Sequence, residues 1–148
     1  MPTTSNRLFI GFLAGLLSHL IFQGAFGSIL YAAHVLPTLP WSLTPVAPLG
    51  VPKTLSLCFW AGLWGTAYAL LEPRLTARLG WWLGGLVFGA LPLAVAWFVV
   101  EPLKGFEVGG GFHLTMVLIG IGFHAAFGIG VAVIFRTGLG VTRRRYQT

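Results

Sequence analysis

The sequence predicts an all-α protein, built as an integral membrane bundle of four transmembrane helices. Charged residues make up 8% of the 148 residues and hydrophobic residues 56%, and the mean hydropathy is +0.86. A soluble domain carries roughly 25% charged residues, so this chain could not cover a surface that faces water. Its few charges separate four long uncharged runs, and about 20 apolar residues suffice for a helix to cross a bilayer. Residues 1–148 are expected to form one transmembrane domain.

The uncharged runs locate the helices. The run between Arg7 and Lys53 predicts one helix near 8–34 and then a proline-rich segment over 35–52. The later runs predict helices near 53–71, 80–100 and 111–136. The first helix is expected to be an uncleaved span, because its apolar run outlasts the core of a signal peptide, about 7–15 residues.

Prolines mark the predicted loop and two predicted helix ends. The segment 35–52 carries five of the nine prolines and no charge, so it is expected to be extended or turned and to lie over the outer mouth of the bundle. Whether it is a cap or a lid over a site is open. The second and third helices are expected to end at the Glu-Pro pairs 72–73 and 101–102, because proline disfavours helix in the residue before it. Neighbouring Arg74 and Lys104 are expected to compensate the two glutamates.

Charge asymmetry predicts the orientation. Seven basic residues lie at the termini and the second predicted loop, against Lys53 and Lys104 on the other side; the seven are Arg7, Arg74, Arg78, Arg136, Arg143, Arg144 and Arg145. By the positive-inside rule both termini are expected in the cytoplasm. The basic tail 137–148 is expected to lie against anionic lipid headgroups. Nucleic acid is not an expected partner.

Glycines at four-residue spacing predict close helix packing. Gly11 and Gly15 form one GxxxG pair, and Gly85 and Gly89 form another. Small residues let membrane helices approach closely, within one bundle, between protomers, or both. A homo-oligomer or a larger membrane complex is therefore expected. Cys58 is expected to be a packing residue inside the second helix.

Polar residues share faces with glycine in two predicted helices. His19 and Gln23 continue the Gly11–Gly15 row, and His124 lies on one face with Gly120 and Gly128. His19 and His124 each lie about 18 Å along a helix from the charged end, near the middle of a bilayer. A face that carries histidine is expected to meet protein, because an imidazole would go unsatisfied in lipid.

Several interpretations of these histidines are open. His19, Gln23 and His124 could hydrogen-bond to one another and join two helices. His19 and His124 could instead ligate a b-type haem. A proton path could run from His34, His113 and Glu101 at the outer mouth to the deep pair, and the same outer trio could hold zinc or copper. Catalysis is not expected, because the chain has no aspartate and no nucleophile motif.

The stretch His124-Ala-Ala-Phe127-Gly128-Ile-Gly130, after a glycine-rich third helix, resembles the YagU-like four-span inner-membrane proteins. The resemblance covers residues from about 58 to 136 and excludes the proline-rich first loop. It implies a place in a bacterial inner membrane and no particular activity. The predicted function is accordingly that of a structural or accessory membrane component. A haem or metal protein and a small proton-coupled transporter are the alternatives.

Overall fold

The computed structural model describes residues 3–145, with side chains up to residue 141. It contains four long helices: α1 (Thr4–Ala32), α2 (Lys53–Leu79), α3 (Trp81–Leu103) and α4 (Leu114–Arg145). Each is long and apolar enough to cross a membrane. The predicted all-helical class and the four candidate spans are thereby confirmed, and they indicate a multi-pass membrane protein.

The four helices form a closed ring in which α1 packs on α2, α2 on α3, α3 on α4, and α4 on α1. Three buried aromatic side chains from different helices meet at its centre. The ring of Tyr68 lies 5.1 Å from that of Phe88 and 5.6 Å from that of Phe135, both edge-on. Such pairs contribute roughly 0.5–1.5 kcal/mol beyond the area that they bury, so Tyr68 links α2 to both α3 and α4.

The outward surface of the bundle is apolar. Phe9 and Ile29 on α1 expose 63% and 65% of their surface, Leu55 on α2 exposes 58%, and Phe98 on α3 exposes 61%. In water, apolar patches of this extent are rare on monomeric proteins. In hydrocarbon they carry no penalty, which agrees with the length and composition of the helices.

The second helix does not end at residue 71 as predicted, but continues through Pro73 to Leu79. A proline inside a helix lacks the N–H that would bond the carbonyl four residues earlier, here that of Ala69. Nη2 of Arg7 donates to this carbonyl at 3.1 Å. The helix can therefore pass the proline with its backbone satisfied, and it ends at Gly80, where φ is 76°.

The other helix ends differ from the predictions for local reasons. Helix α1 begins at Thr4, because the Thr3 hydroxyl accepts the Asn6 amide at 3.3 Å as an N-cap. Helix α4 begins at Leu114 rather than 111, because the residues 109–112 before it all have positive φ. Three of these four are glycines, which enter the left-handed region without the steric cost of a Cβ atom.

The far end of α4 extends beyond the predicted residue 136 to Arg145. Charge marks where a chain leaves hydrocarbon, but it does not stop a helix. Most of the predicted basic tail is therefore helical, and residues 146–148 lie outside the described part of the chain.

The proline-rich segment is packed on the bundle and forms a short hairpin, β1 (Pro45–Val46) paired antiparallel with β2 (Val51–Pro52). The ring of Trp41 fills the space beside Gly24 of α1, where a Cβ atom would lie 2.5 Å from Cζ2. Thr54 Oγ1 accepts the Ser42 amide at 2.8 Å and donates to the Ser42 carbonyl at 3.0 Å. These contacts favour the interpretation of the segment as a cap.

Candidate functional site

The polar interior between α1 and α4 is organised by Gln23. His19 Nδ1 and Gln23 Oε1 lie 2.7 Å apart, and Gln23 Nε2 donates to the Phe123 carbonyl of α4 at 3.1 Å. Because the amide nitrogen is the donor toward α4, the amide oxygen accepts the proton of His19 Nδ1. Residues His19–Gln23 form a π-helical turn, a local widening that is frequent at functional sites.

His124 does not join this chain of hydrogen bonds. Its Nδ1 donates to the Gly120 carbonyl in its own helix at 2.8 Å, so the hydrogen bond that could have joined it to His19 or Gln23 is not formed. Helical side chains point back toward the N-terminus and over the preceding turn, which places the imidazole beside that carbonyl. The residue of α4 that contacts Gln23 is Phe123, through its backbone.

Packing between α1 and α4 leaves no slot for haem at this level. A Cβ atom at Gly122 would clash with the Phe26 ring, and one at Gly130 would lie 2.6 Å from the Phe22 ring. The rings of Phe26 and Phe123 meet edge-on at 5.1 Å. A porphyrin between His19 and His124 would require these filled contacts to open, so the residues present do not fit a haem there.

A second bond joins α1 to α4 deeper in the bundle. Ser18 is fully buried, and its Oγ donates to the Phe127 carbonyl at 2.7 Å. Gly130 lies against the same hydroxyl. Ser18 was not predicted, although a serine on the same helix face as Gly11 and Gly15 was an available signal.

The outer trio of His34, His113 and Glu101 does not assemble. Across residues 3–145, no three His, Cys, Asp or Glu side chains lie close enough to hold a metal ion together. His34 is exposed beyond the end of α1 with φ of 58°, His113 is exposed before α4, and Glu101 Oε2 accepts the Gly110 amide at 3.3 Å. The trio does not come together as a metal site, because His34 lies on the α1–α2 connection whereas Glu101 and His113 flank the α3–α4 connection.

The glycines predicted to pack form two similar contacts. Between α1 and α2, a Cβ atom at Gly11 would lie 2.6 Å from the Gly65 carbonyl oxygen, and one at Gly15 would lie 2.9 Å from Gly65 Cα. Between α3 and α4, a Cβ atom at Gly85 would lie 2.7 Å from the Gly128 carbonyl oxygen. In both pairs the backbones of antiparallel helices touch.

The two remaining glycines accommodate neighbours of different kinds. A Cβ atom at Gly89 would clash with the His124 carbonyl oxygen. Gly120 faces the indole of Trp97, whose Cζ2 would lie 2.9 Å from a Cβ atom there. Every glycine predicted for helix packing thus contacts another helix of the same chain.

A charged contact at the other end of the bundle was not predicted. Nη2 of Arg7 bonds Glu72 Oε2 at 3.0 Å as well as the Ala69 carbonyl, and its guanidinium lies 5.3 Å from the Phe135 ring centroid. The partner expected for Glu72 was Arg74, which is exposed. The missed signal was that Pro73 releases a carbonyl on α2 that requires a donor from elsewhere.

No family model matches this chain, and comparisons with curated proteins and with solved structures found no match. The resemblance to the YagU-like proteins stays a prediction.

Proposed function

We propose that this chain is a multi-pass protein of the bacterial inner membrane with a structural or accessory role. One observation carries the proposal: the interior polar groups are used to join helices. Across the described residues, no buried side-chain nitrogen or oxygen lacks a hydrogen-bond partner. Gln23 and Ser18 each bond a backbone carbonyl of α4, and such bonds in a membrane contribute about 0.6–2 kcal/mol each.

The proposed orientation has both termini in the cytoplasm. Arg7 at the start of α1, Arg78 at the end of α2 and Arg136 in the last part of α4 all belong to the same end of the bundle. Lys53 and Lys104 belong to the other end, and this bias supports the orientation by the positive-inside rule. With four candidate spans, an even number, the two termini lie on the same side of the membrane.

The proposed partner is a second copy of the chain or a larger membrane complex. The glycine pairs Gly11–Gly15 and Gly85–Gly89 are occupied by α2 and α4 of the same chain. A partner would therefore dock on the outward apolar surface, and its lipid neighbours would include anionic headgroups at the basic end.

The alternatives have less support from the geometry. The haem alternative conflicts with the close packing of α1 on α4, which leaves no space for a porphyrin between His19 and His124. A proton path would need a connected chain of titratable groups, whereas His19, His124 and Glu101 bond Gln23, Gly120 and Gly110 respectively. No hydrogen bond links any two of these three groups in the part of the chain that the structure describes.

Fusion reporters test the placement. Alkaline phosphatase should be active when fused after Pro52 or Gly105, and green fluorescent protein should fluoresce when fused after Arg78 or Thr148. The unfused protein should stay in the membrane pellet after alkaline carbonate extraction. Extraction into the supernatant, or a periplasmic C-terminus, would overturn the proposal.

Co-purification tests the accessory role. Two differently tagged copies, expressed together and solubilised in a mild detergent, should be recovered together or in one larger assembly. Copies mixed only after solubilisation provide the control for exchange and aggregation. A protein that runs as a lone 15.9 kDa chain in every mild detergent and after cross-linking in intact membranes would contradict the role.

A further inference from the structure

A cleft of about 350 Å³ opens among α2, α3 and α4 at the end of the bundle where the N-terminus lies. This volume is within the range of small-ligand sites, roughly 300–1,000 Å³. Its lining residues are Tyr68, Glu72, Trp81, Ala132, Phe135, Arg136, Leu139 and Gly140.

The cleft has an apolar floor and a charged mouth. Tyr68, Phe135 and Leu139 are buried, whereas Arg136 and Trp81 are exposed. The Arg136 guanidinium lies 5.6 Å from the Trp81 ring centroid, an arrangement that orients it while leaving its N–H groups open. No acceptor among the described residues takes a hydrogen bond from Arg136.

The carboxylate of the cleft is already neutralised. Glu72 Oε2 bonds Arg7 at 3.0 Å, and Glu72 Oε1 accepts the Thr76 hydroxyl at 3.1 Å. Arg7 and Glu72 cancel as a pair, which leaves the positive charge of Arg136 uncompensated. The cleft therefore favours an anion at its mouth and an apolar group against its floor.

We infer that this cleft binds one anionic phospholipid, with its phosphate on Arg136 and the start of an acyl chain along Phe135 and Ala132, which lie on the membrane side of Arg136 in α4. Arginine presents planar N–H donors that match phosphate oxygens in pairs. The inference rests on the proposed membrane placement, which puts this end of the bundle at the headgroup level. A free phosphate would match Arg136 alone and would leave the apolar floor uncovered.

Native mass spectrometry of the full chain, released from detergent with phosphatidylglycerol present, tests the site. The wild type should retain one phosphatidylglycerol, and Arg136→Gln should lower the retained fraction about tenfold, as loss of a charge-assisted hydrogen bond does. Arg136→Lys should fall between the two. Arg78→Gln removes a like charge from the same end but outside the cleft, and it should retain the lipid as the wild type does.

A filling variant tests the cleft independently of charge. A Cβ atom at Gly140 would meet nothing within 4 Å, so Gly140→Leu should fold normally and should displace the lipid with Arg136 intact. Inorganic phosphate at millimolar concentration should not compete. Equal retention by the wild type, Arg136→Gln and Gly140→Leu, or displacement by phosphate alone, would overturn the inference. Carbonate extraction would still show whether the protein is in the membrane, so the lipid site can be refuted without refuting the proposed membrane location.

Discussion

The guanidinium of Arg7 bonds the carbonyl of Ala69 at 3.1 Å, the carbonyl that Pro73 leaves without a helical donor. One side chain thus serves two groups of α2, because it also pairs with the Glu72 carboxylate at 3.0 Å. These contacts tie the start of α1 to residues 69–72 of α2. It explains how an uninterrupted helix crosses a Glu-Pro pair.

Removing Arg7 should destabilise the bundle in a way that depends on Pro73. Arg7→Met should lower the free energy of unfolding in mixed micelles by about 1–3 kcal/mol, because it leaves a partly buried carboxylate and a carbonyl unpaired. In a Pro73→Ala background the restored amide would bond Ala69, so the cost of Arg7→Met should fall by about 1 kcal/mol.

The matched control for this cycle is Arg74→Met, which removes the neighbouring exposed arginine. It should change the free energy of unfolding by less than about 0.5 kcal/mol. If Arg74→Met lowered the free energy of unfolding more than Arg7→Met, the partner of Glu72 would be the neighbouring Arg74 and not Arg7.

Leucine at the glycine contact of α3 should separate α3 from α4. The double variant Gly85→Leu and Gly89→Leu places side chains where the Gly128 and His124 carbonyls lie, so the melting temperature in detergent should fall steeply. Ala90→Leu with Ala94→Leu introduces two leucines at the same spacing on the exposed face of α3, and it should melt as the wild type does. If the wild type and both double variants had the same melting temperature, the glycine face of α3 would contact lipid and not α4.

The sequence predicted the helices better than the contacts. Hydropathy is a local property, so four uncharged runs sufficed to find four spans. The end of α2 was missed because the residue that supports it, Arg7, lies far away along the chain. The start of α4 was missed by three residues, although Gly109, Gly110 and Gly111 carried the signal for a left-handed turn.

The Thr54 hydroxyl should hold the proline-rich cap on the bundle. In Thr54→Val the Ser42 amide loses its acceptor, so its hydrogen exchange should accelerate about tenfold, as loss of one hydrogen bond does. The backbone bond from the Thr54 amide to the Ser42 carbonyl, 3.0 Å long, should keep the hairpin formed. Thr38→Val, an exposed threonine of the same segment, is the control, and comparable acceleration in both variants would show that the cap is not fastened there.

The candidate site shows the limit of reasoning from helical periodicity. Periodicity placed His19, Gln23 and His124 on glycine-lined faces and at similar depth, and Gln23 does reach α4. It could not decide between the carbonyl of Phe123 and the ring of His124 as the partner, because these lie one residue apart. That choice depends on the rotation of two helices by a fraction of a turn.

The central claim is that His19 orients Gln23 for its bond to α4 and that the two histidines do not bond each other, and coupling free energies of unfolding test it most directly. His19→Ala and Gln23→Ala should be coupled by about 0.5–3 kcal/mol, because the two side chains share a hydrogen bond. His19→Ala and His124→Ala should be additive within about 0.5 kcal/mol, because they have no bonding partner in common. Strong coupling between the two histidines, with none between His19 and Gln23, would contradict the account.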